Sequence, residues 1–182
     1  MRIISGKWGG RRFTPPADKW PTRPTTDISK EGLFNILNNY LHFDQTIMLD
    51  LFGGTGNHCY EFLSRGCTDA TYVDQHGPAV RFVQKMAKEL VVEDELTIVR
   101  GDVAKFLAQP AHRKYDYVFA GPPYPLTWLD DIPNRLFVPI LPADPPPFPF
   151  FSQKTMSLTR EENARIPKER GKRSSAAGLS KL

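Results

Sequence analysis

Three acids and one glycine-rich turn carry the chemistry this sequence makes most visible. Asp50 lies within an apolar run, Ile47 to Leu51, that leads straight into Phe52-Gly53-Gly54-Thr55-Gly56. Asp74 ends a second apolar run and Asp102 follows a third. Glycines at such a turn let the main chain bend tightly and approach a bound nucleotide without Cβ interference. The spacing is not the dinucleotide pattern G-x-G-x-x-G, and the Asp50 carboxylate would repel a pyrophosphate. A neutral or cationic adenosine ligand therefore suits this turn better than NAD, and S-adenosylmethionine is the common ligand of that kind. In an open α/β sheet, ligands lie outside the carboxyl ends of the strands. There Asp74 is expected to accept hydrogen bonds from ribose hydroxyls. Asp102, with the Val103 amide, is placed to hold the adenine amino group and ring nitrogen, while Asp50 favours positive charge. Any one of these acids alone could simply cap the following helix. Three at corresponding places beside a glycine turn favour the ligand.

A second constellation is Tyr117-Val-Phe-Ala-Gly-Pro-Pro-Tyr124. Consecutive prolines after a strand stiffen a turn and can aim main-chain carbonyls at an amino group. Tyr124 offers a flat face, and stacking a base on an aromatic ring contributes about 1–3 kcal/mol. Alone, Pro-Pro-Tyr is an ordinary turn. Downstream of the glycine turn it marks an acceptor site at Gly121, Pro122, Pro123 and Tyr124.

The elements needed to position these groups follow from hydrophobic pattern. Strand-like runs fall at 47–51, 70–73, 96–100 and 115–120, with helix-like runs between them at 57–65, 78–90 and 103–108. Alternation of this kind indicates βαβ units, hence a mostly parallel sheet with helices on both faces. Gly66 is a natural stop for the first of these helices. Upstream, Arg2-Ile-Ile and Arg11-Arg-Phe-Thr flank a glycine-rich turn and read as a small hairpin. A proline- and threonine-rich arm covers 14–26. Thr25-Thr26-Asp27 then supplies caps for a helix from about Ile28 to Tyr40, with Leu33, Ile36, Leu37 and Tyr40 as its buried face. Ten prolines fall between Pro122 and Pro149, a density no central strand tolerates. The reading divides the chain into a basic hairpin and arm (1–26), an α/β body (27–142) and a proline-rich, basic tail (143–182) expected to be poorly ordered.

Composition sets the outer bounds. The 182 residues are 40% hydrophobic and carry a formal net charge of +4. The charge is uneven: residues 1–26 hold six cations against one acid, whereas 27–151 hold ten against sixteen. Basic ends on an acidic body fit a polyanionic partner, through Arg2, Lys7, Arg11, Arg12 and Arg23, although a merely solvated surface has the same composition. No apolar run approaches the ~20 residues that cross a bilayer, and no signal peptide is visible, so a cytoplasmic protein is expected. A monomer is also expected. Cys59 and Cys67 read as reduced thiols. His42, His58, His76 and His112 share no metal-ligand spacing and read as surface or packing residues. Trp8, Trp20 and Trp128 could stack on bases, with core packing at least as good a reading of each.

At this point the chain resembles a known family. Met1-Arg-Ile-Ile-Ser-Gly-Lys-Trp-Gly-Gly-Arg-Arg12, Arg23-Pro-Thr-Thr-Asp27, Asp50-Leu-Phe-Gly-Gly-Thr-Gly56, Leu63-Ser-Arg-Gly66 and Val73-Asp74 are similar to the RsmD-type bacterial 16S ribosomal RNA guanine-N2 methyltransferases. The resemblance covers roughly residues 1–142. It implies a Rossmann-like class I methyltransferase fold, S-adenosylmethionine as methyl donor and a guanine of 16S rRNA, free or in an assembling subunit, as acceptor. It places the cofactor on Asp50, Gly53, Gly56, Asp74 and Asp102; Phe52 and Gly54 of the turn and the Val103 amide complete the expected cofactor site. The base falls on 121–124, and Arg23 and Thr25 of the arm join the hairpin cations on RNA. The sequence departs from the family pattern twice. The family has Asp or Asn where Gly121 stands, and it ends in two further strands where this chain has the proline-rich stretch and basic tail.

Overall fold

The computed structural model describes residues 1–16, 20, 26–110, 113–123, 126–128 and 131–137. The tail expected over 143–182 and the arm residues Arg23 and Thr25 lie outside them. Four strands form one sheet: β1 (Ile47–Leu51), β2 (Asp69–Asp74), β3 (Leu96–Arg100) and β4 (Tyr117–Ala120), in the order β3-β2-β1-β4. All three pairings are parallel, with Leu51 opposite Val73 and Ala120, and Asp74 opposite Arg100. Parallel neighbours need crossovers, and the helices α2 (Asn57–Ser64), α3 (Gly77–Leu90) and α4 (Val103–Ala108) supply them.

Strand alternation splits the core into two layers. Met48, Ala70, Tyr72, Leu96, Tyr117 and Phe119 join one cluster with the buried stripes of α2, α3 and α1 (Asp27–Leu37). Leu49, Leu51, Val73, Val118 and Ala120 join the other, with Val103 and Leu107 of α4 and with Ile132 and Leu136 of α5 (Ile132–Phe137). Helices therefore cover both faces, as the alternation required. The strand expected from residue 115 begins at Tyr117. Helix α5 falls inside the proline-rich stretch, where the proline content had excluded only a central strand.

Helix α1 begins as its caps dictate, with Thr26 Oγ1 accepting the Ser29 amide at 3.2 Å. Its buried face differs from the expectation. Leu33 and Leu37 are buried, but their companions are Phe34 and Lys30, while Ile36 and Tyr40 are 47% and 56% exposed. The helix rotates its stripe toward Phe34, which packs on Phe43, His58 and Phe62. It also ends at Leu37, three residues early, which leaves Tyr40 in the following turn. The N-terminal hairpin is present: Ile3 N donates to Arg11 O and Phe13 N to Met1 O. Ile3 and Phe13 anchor it in the first core layer.

Candidate active site

Chain order reverses beside β1. The strands run outward from β1 through β2 to β3, then β4 returns to the other side of β1. Crevices form at such switch points, outside the carboxyl ends of the strands. The ends of β1 and β4 stay together there, because the Gly121 amide donates to Leu51 O at 3.0 Å.

The turn after β1 is built by close approach. Phe52 takes a left-handed conformation, φ 59°, a strain of about 1–2 kcal/mol for a residue with a side chain. A Cβ on Gly53 would stand 2.4 Å from the Tyr72 ring. Gly54 is held from both sides: its amide donates to Asp74 Oδ2 at 2.8 Å, and its carbonyl accepts from Tyr72 Oη at 2.8 Å. Gly56, at φ 72°, then opens α2, and no side chain caps that helix start. The turn thus leads into a helix whose first amides face the crevice end of the sheet.

The three acids divide their work. Asp50 is 1% exposed; its Oδ2 accepts from the Cys59 thiol at 3.3 Å, and its Oδ1 is buried without a hydrogen-bond partner among the described residues. Burial pushes its carboxyl up to about 7, the Asp74 charge adds to the rise, and the thiol hydrogen bond opposes it. An acceptor left unpaired at the tip of β1 fits a donor or cation brought by a ligand. Asp74 places Oδ2 on Gly54 and Oδ1 on the His76 amide at 2.7 Å, so it holds the turn as well as facing the crevice. Asp102 caps α4 through the Lys105 amide at 2.9 Å and sits directly before the Val103 amide. This set fits an adenosine carrying a cationic tail: glycine where the backbone must come close, an acid at or just past the ends of β1, β2 and β3, and one buried oxygen without a partner among the described residues.

On the β4 side, a Cβ on Gly121 would meet only Phe119 at 3.6 Å and the Phe52 carbonyl at 3.8 Å. That position has room for a side chain and does not need glycine. Pro122 is buried, Pro123 exposed, and Tyr124 lies outside the described residues. Phe52 and Trp128 pack together at 6.0 Å beside this segment.

The hairpin cations are less free than their sequence suggests. Arg2, Lys7 and Arg11 pair with Asp27, Glu95 and Glu89 at 3.6, 3.6 and 3.7 Å, whereas Arg12 is exposed with no such pair among the described residues. Trp8 lies under the Lys7 ammonium and Trp20 packs on His76 and Phe82. His58 is buried, bonded to the Tyr117 hydroxyl at 3.0 Å, and burial lowers its pKa to about 3. Both cysteines are free and buried, and no His/Cys/Asp/Glu cluster among the described residues could hold a metal. No helix among the described residues is long and apolar enough to cross a membrane.

Sequence reasoning missed a buried ion network under the hairpin. Glu61, fully buried, accepts the amides of Ile4 and Ser5 at 2.8 and 3.0 Å and pairs with Lys30 and Arg65 at 3.2 and 2.9 Å. Lys30 also donates to Arg2 O and to Asn57 Oδ1, the latter at 2.8 Å, tying the hairpin and α1 to the first residue of the glycine turn's helix. The available signal was position: Lys30 shares the helical stripe of Leu33, Phe34 and Leu37.

A parallel sheet in the order β3-β2-β1-β4, with a glycine turn after β1 and acids at successive strand ends, is the Rossmann-like fold of class I methyltransferases. A solved structure described as "Putative methyltransferase yhhF" from Escherichia coli superposes with a TM-score of 0.69 at 30% identity, covering 79% of this chain and 75% of that one. The chain belongs to the family described as Conserved hypothetical protein 95, whose model matches residues 1–136. It is 37% identical over 126 residues to the Bacillus subtilis protein named "Putative rRNA methyltransferase YlbH", covering 68% of this chain and 67% of that one. It is 34% identical to ribosomal RNA small subunit methyltransferase D of Haemophilus influenzae, covering 68% and 64%. The chain thus spans about two thirds of the length of these curated relatives.

Proposed function

We propose that this protein transfers a methyl group from S-adenosylmethionine to the N2 amine of a guanine in 16S ribosomal RNA. The observation that carries the cofactor assignment is the buried, unpartnered Asp50 Oδ1 at the mouth of a turn pinned by Asp74. Bound S-adenosylmethionine would supply a methyl group already activated on a cationic sulfur, so the protein contributes position more than acid–base chemistry. Asp50 attracts the cationic tail, Asp74 and Asp102 hold the ribose and adenine edges, and the α2 amides and glycine turn fit the backbone around them. The stiff turn at 121–124 receives the base, which must leave its stack to reach it. Relatives named as rRNA methyltransferases support the RNA class. The guanine N2 atom and the 16S target rest on the family pattern of hairpin, Arg23-Pro-Thr-Thr-Asp27 and glycine turn.

Labelled methyl transfer to unmodified small-subunit rRNA and to assembling subunits tests this reading. Incorporation at one guanine N2 is expected. Incorporation at another atom, or none, contradicts it.

Gly121 motivates a second reading, a homologue that binds cofactor and RNA but turns over slowly. A side chain that accepted a hydrogen bond from the guanine amine would contribute about 1.5–3 kcal/mol, on the order of ten- to a hundredfold in rate. The space around Gly121 admits one. Under this second reading Gly121→Asp accelerates transfer by that factor, and an unchanged rate rejects it.

A further inference from the structure

Three of the hairpin cations already face carboxylates of the body. Arg81 on α3 and Arg100 at the end of β3 do not. Both are exposed, and neither makes an ion pair or hydrogen bond among the described residues. The fold nevertheless brings their ends together over Gly77. Arg100 Nη2 lies 3.2 Å, and Arg81 Nη1 3.4 Å, from where a Gly77 Cβ would stand.

Register explains the convergence. Arg100 follows Leu96 and Ile98 at period two, onto the face that α3 covers, and Arg81 lies one helical turn beyond Gly77. The acid opposite Arg100 in the sheet is Asp74, but its two oxygens are turned to the Gly54 and His76 amides. Two guanidinium groups held side by side without a carboxylate repel each other, and an anion between them would relieve that repulsion. Their planar forks match phosphate oxygens. Trp20 packs edge-on against His76 at 5.5 Å and Phe82 at 6.0 Å, the chain neighbours of Gly77 and Arg81, which brings an aromatic ring of the N-terminal arm toward the same rim.

We propose that Arg81 and Arg100 clamp a backbone phosphate of the substrate RNA on the β3 side of the crevice, next to Trp20. This rests on the reading above for RNA as partner, and adds a contact outside the hairpin, the arm and the 121–124 turn. β3 and β4 are three strand spacings apart, roughly 14 Å. About four stacked nucleotides at ~3.4 Å each span that distance. A strand gripped at Arg81 and Arg100 therefore reaches the acceptor turn on the β4 side.

The test compares R81Q/R100Q with a control of equal charge change, K88Q/R113Q. Lys88 lies in the last turn of α3, and Arg113 pairs with Asp69 at the start of β2, both away from the crevice end. Binding of an unmodified 16S rRNA transcript is measured against salt, and S-adenosylhomocysteine binding by calorimetry. The clamp predicts that R81Q/R100Q weakens RNA binding and lowers the slope of log affinity against log salt by about 0.7, the value for one phosphate of a single strand. It predicts parental affinity for S-adenosylhomocysteine, and a slope kept by R81K/R100K. RNA binding by R81Q/R100Q equal to that of the control overturns the clamp. So does a loss confined to S-adenosylhomocysteine, which would assign the arginines to the nucleoside pocket. No RNA binding by the parent chain overturns the clamp and the RNA reading together, whatever the cofactor does.

Discussion

Asp74 Oδ2 accepts the Gly54 amide at 2.8 Å across twenty positions of sequence, and so fastens the turn after β1 to the tip of β2. Its other oxygen holds the His76 amide at the start of α3. A hydrogen bond to a charged group contributes about 1.5–3 kcal/mol. Asp74→Ala frees both amides and removes the acceptor assigned to the ribose. Calorimetric affinity for S-adenosylhomocysteine should fall roughly ten- to a hundredfold. Parental affinity in that variant would mean that Asp74 neither shapes the turn nor touches the ligand.

Asp50 makes ligand binding depend on pH. Burial raises its carboxyl to about 7, so near neutrality the ligand-free protein holds this proton part of the time. The ammonium group of the ligand's amino-acid tail, which S-adenosylhomocysteine keeps although its sulfur is uncharged, requires the ionised form. Affinity for S-adenosylhomocysteine should therefore fall as pH drops through about 7, approaching tenfold per unit below it, and Asp50→Asn should flatten the profile. Stability runs the other way for this group. A raised carboxyl pKa means the folded state binds the proton more tightly, so its contribution is full below the unfolded carboxyl pKa of about 4 and declines as pH rises toward 7. His58, lowered by burial to about 3, opposes it: its contribution is full above the unfolded value near 6.5 and is lost as pH falls toward 3. Replacing Asp50 by Asn leaves the His58 slope uncompensated. Denaturant melts of that variant should then show stability rising from about pH 4 to 6.5. A flat or falling curve would contradict the burial effect on His58.

The sheet was legible because its strands are short apolar runs separated by helical pattern, and their observed ends fall within two residues of the sequence reading. The glycine turn was legible for a similar local reason, since close approach permits few residue types. The burial of Lys30 was not, because its cost is offset by Glu61, Asn57 and a hairpin carbonyl distant in sequence. The same holds for the cations of the hairpin, whose acids belong to α1, α3 and the approach to β3. Ile36 and Tyr40 fit a helical stripe on paper, and Phe34 displaced them because three aromatic partners lie on its side. Phe52's left-handed backbone leaves no trace in residue type.

Glu61 is the joint between hairpin and body. It satisfies two hairpin amides and two cations, and burial lowers the Lys30 pKa even though the neighbouring Glu61 carboxylate opposes that shift. Breaking a buried pair by removing one charge costs about 3–5 kcal/mol. Glu61→Gln should lose stability of that order in denaturant melts and expose residues 1–16 to limited proteolysis. A variant as stable as the parent, with a protected hairpin, would contradict this role.

The most direct test of the whole account is calorimetric titration of the unmodified chain with S-adenosylhomocysteine, with NAD as comparison. The account predicts saturable one-to-one binding of S-adenosylhomocysteine, lost or strongly weakened by Asp74→Ala, and weaker or no binding of NAD. Tighter binding of NAD, or no binding of S-adenosylhomocysteine by a folded chain, would contradict it.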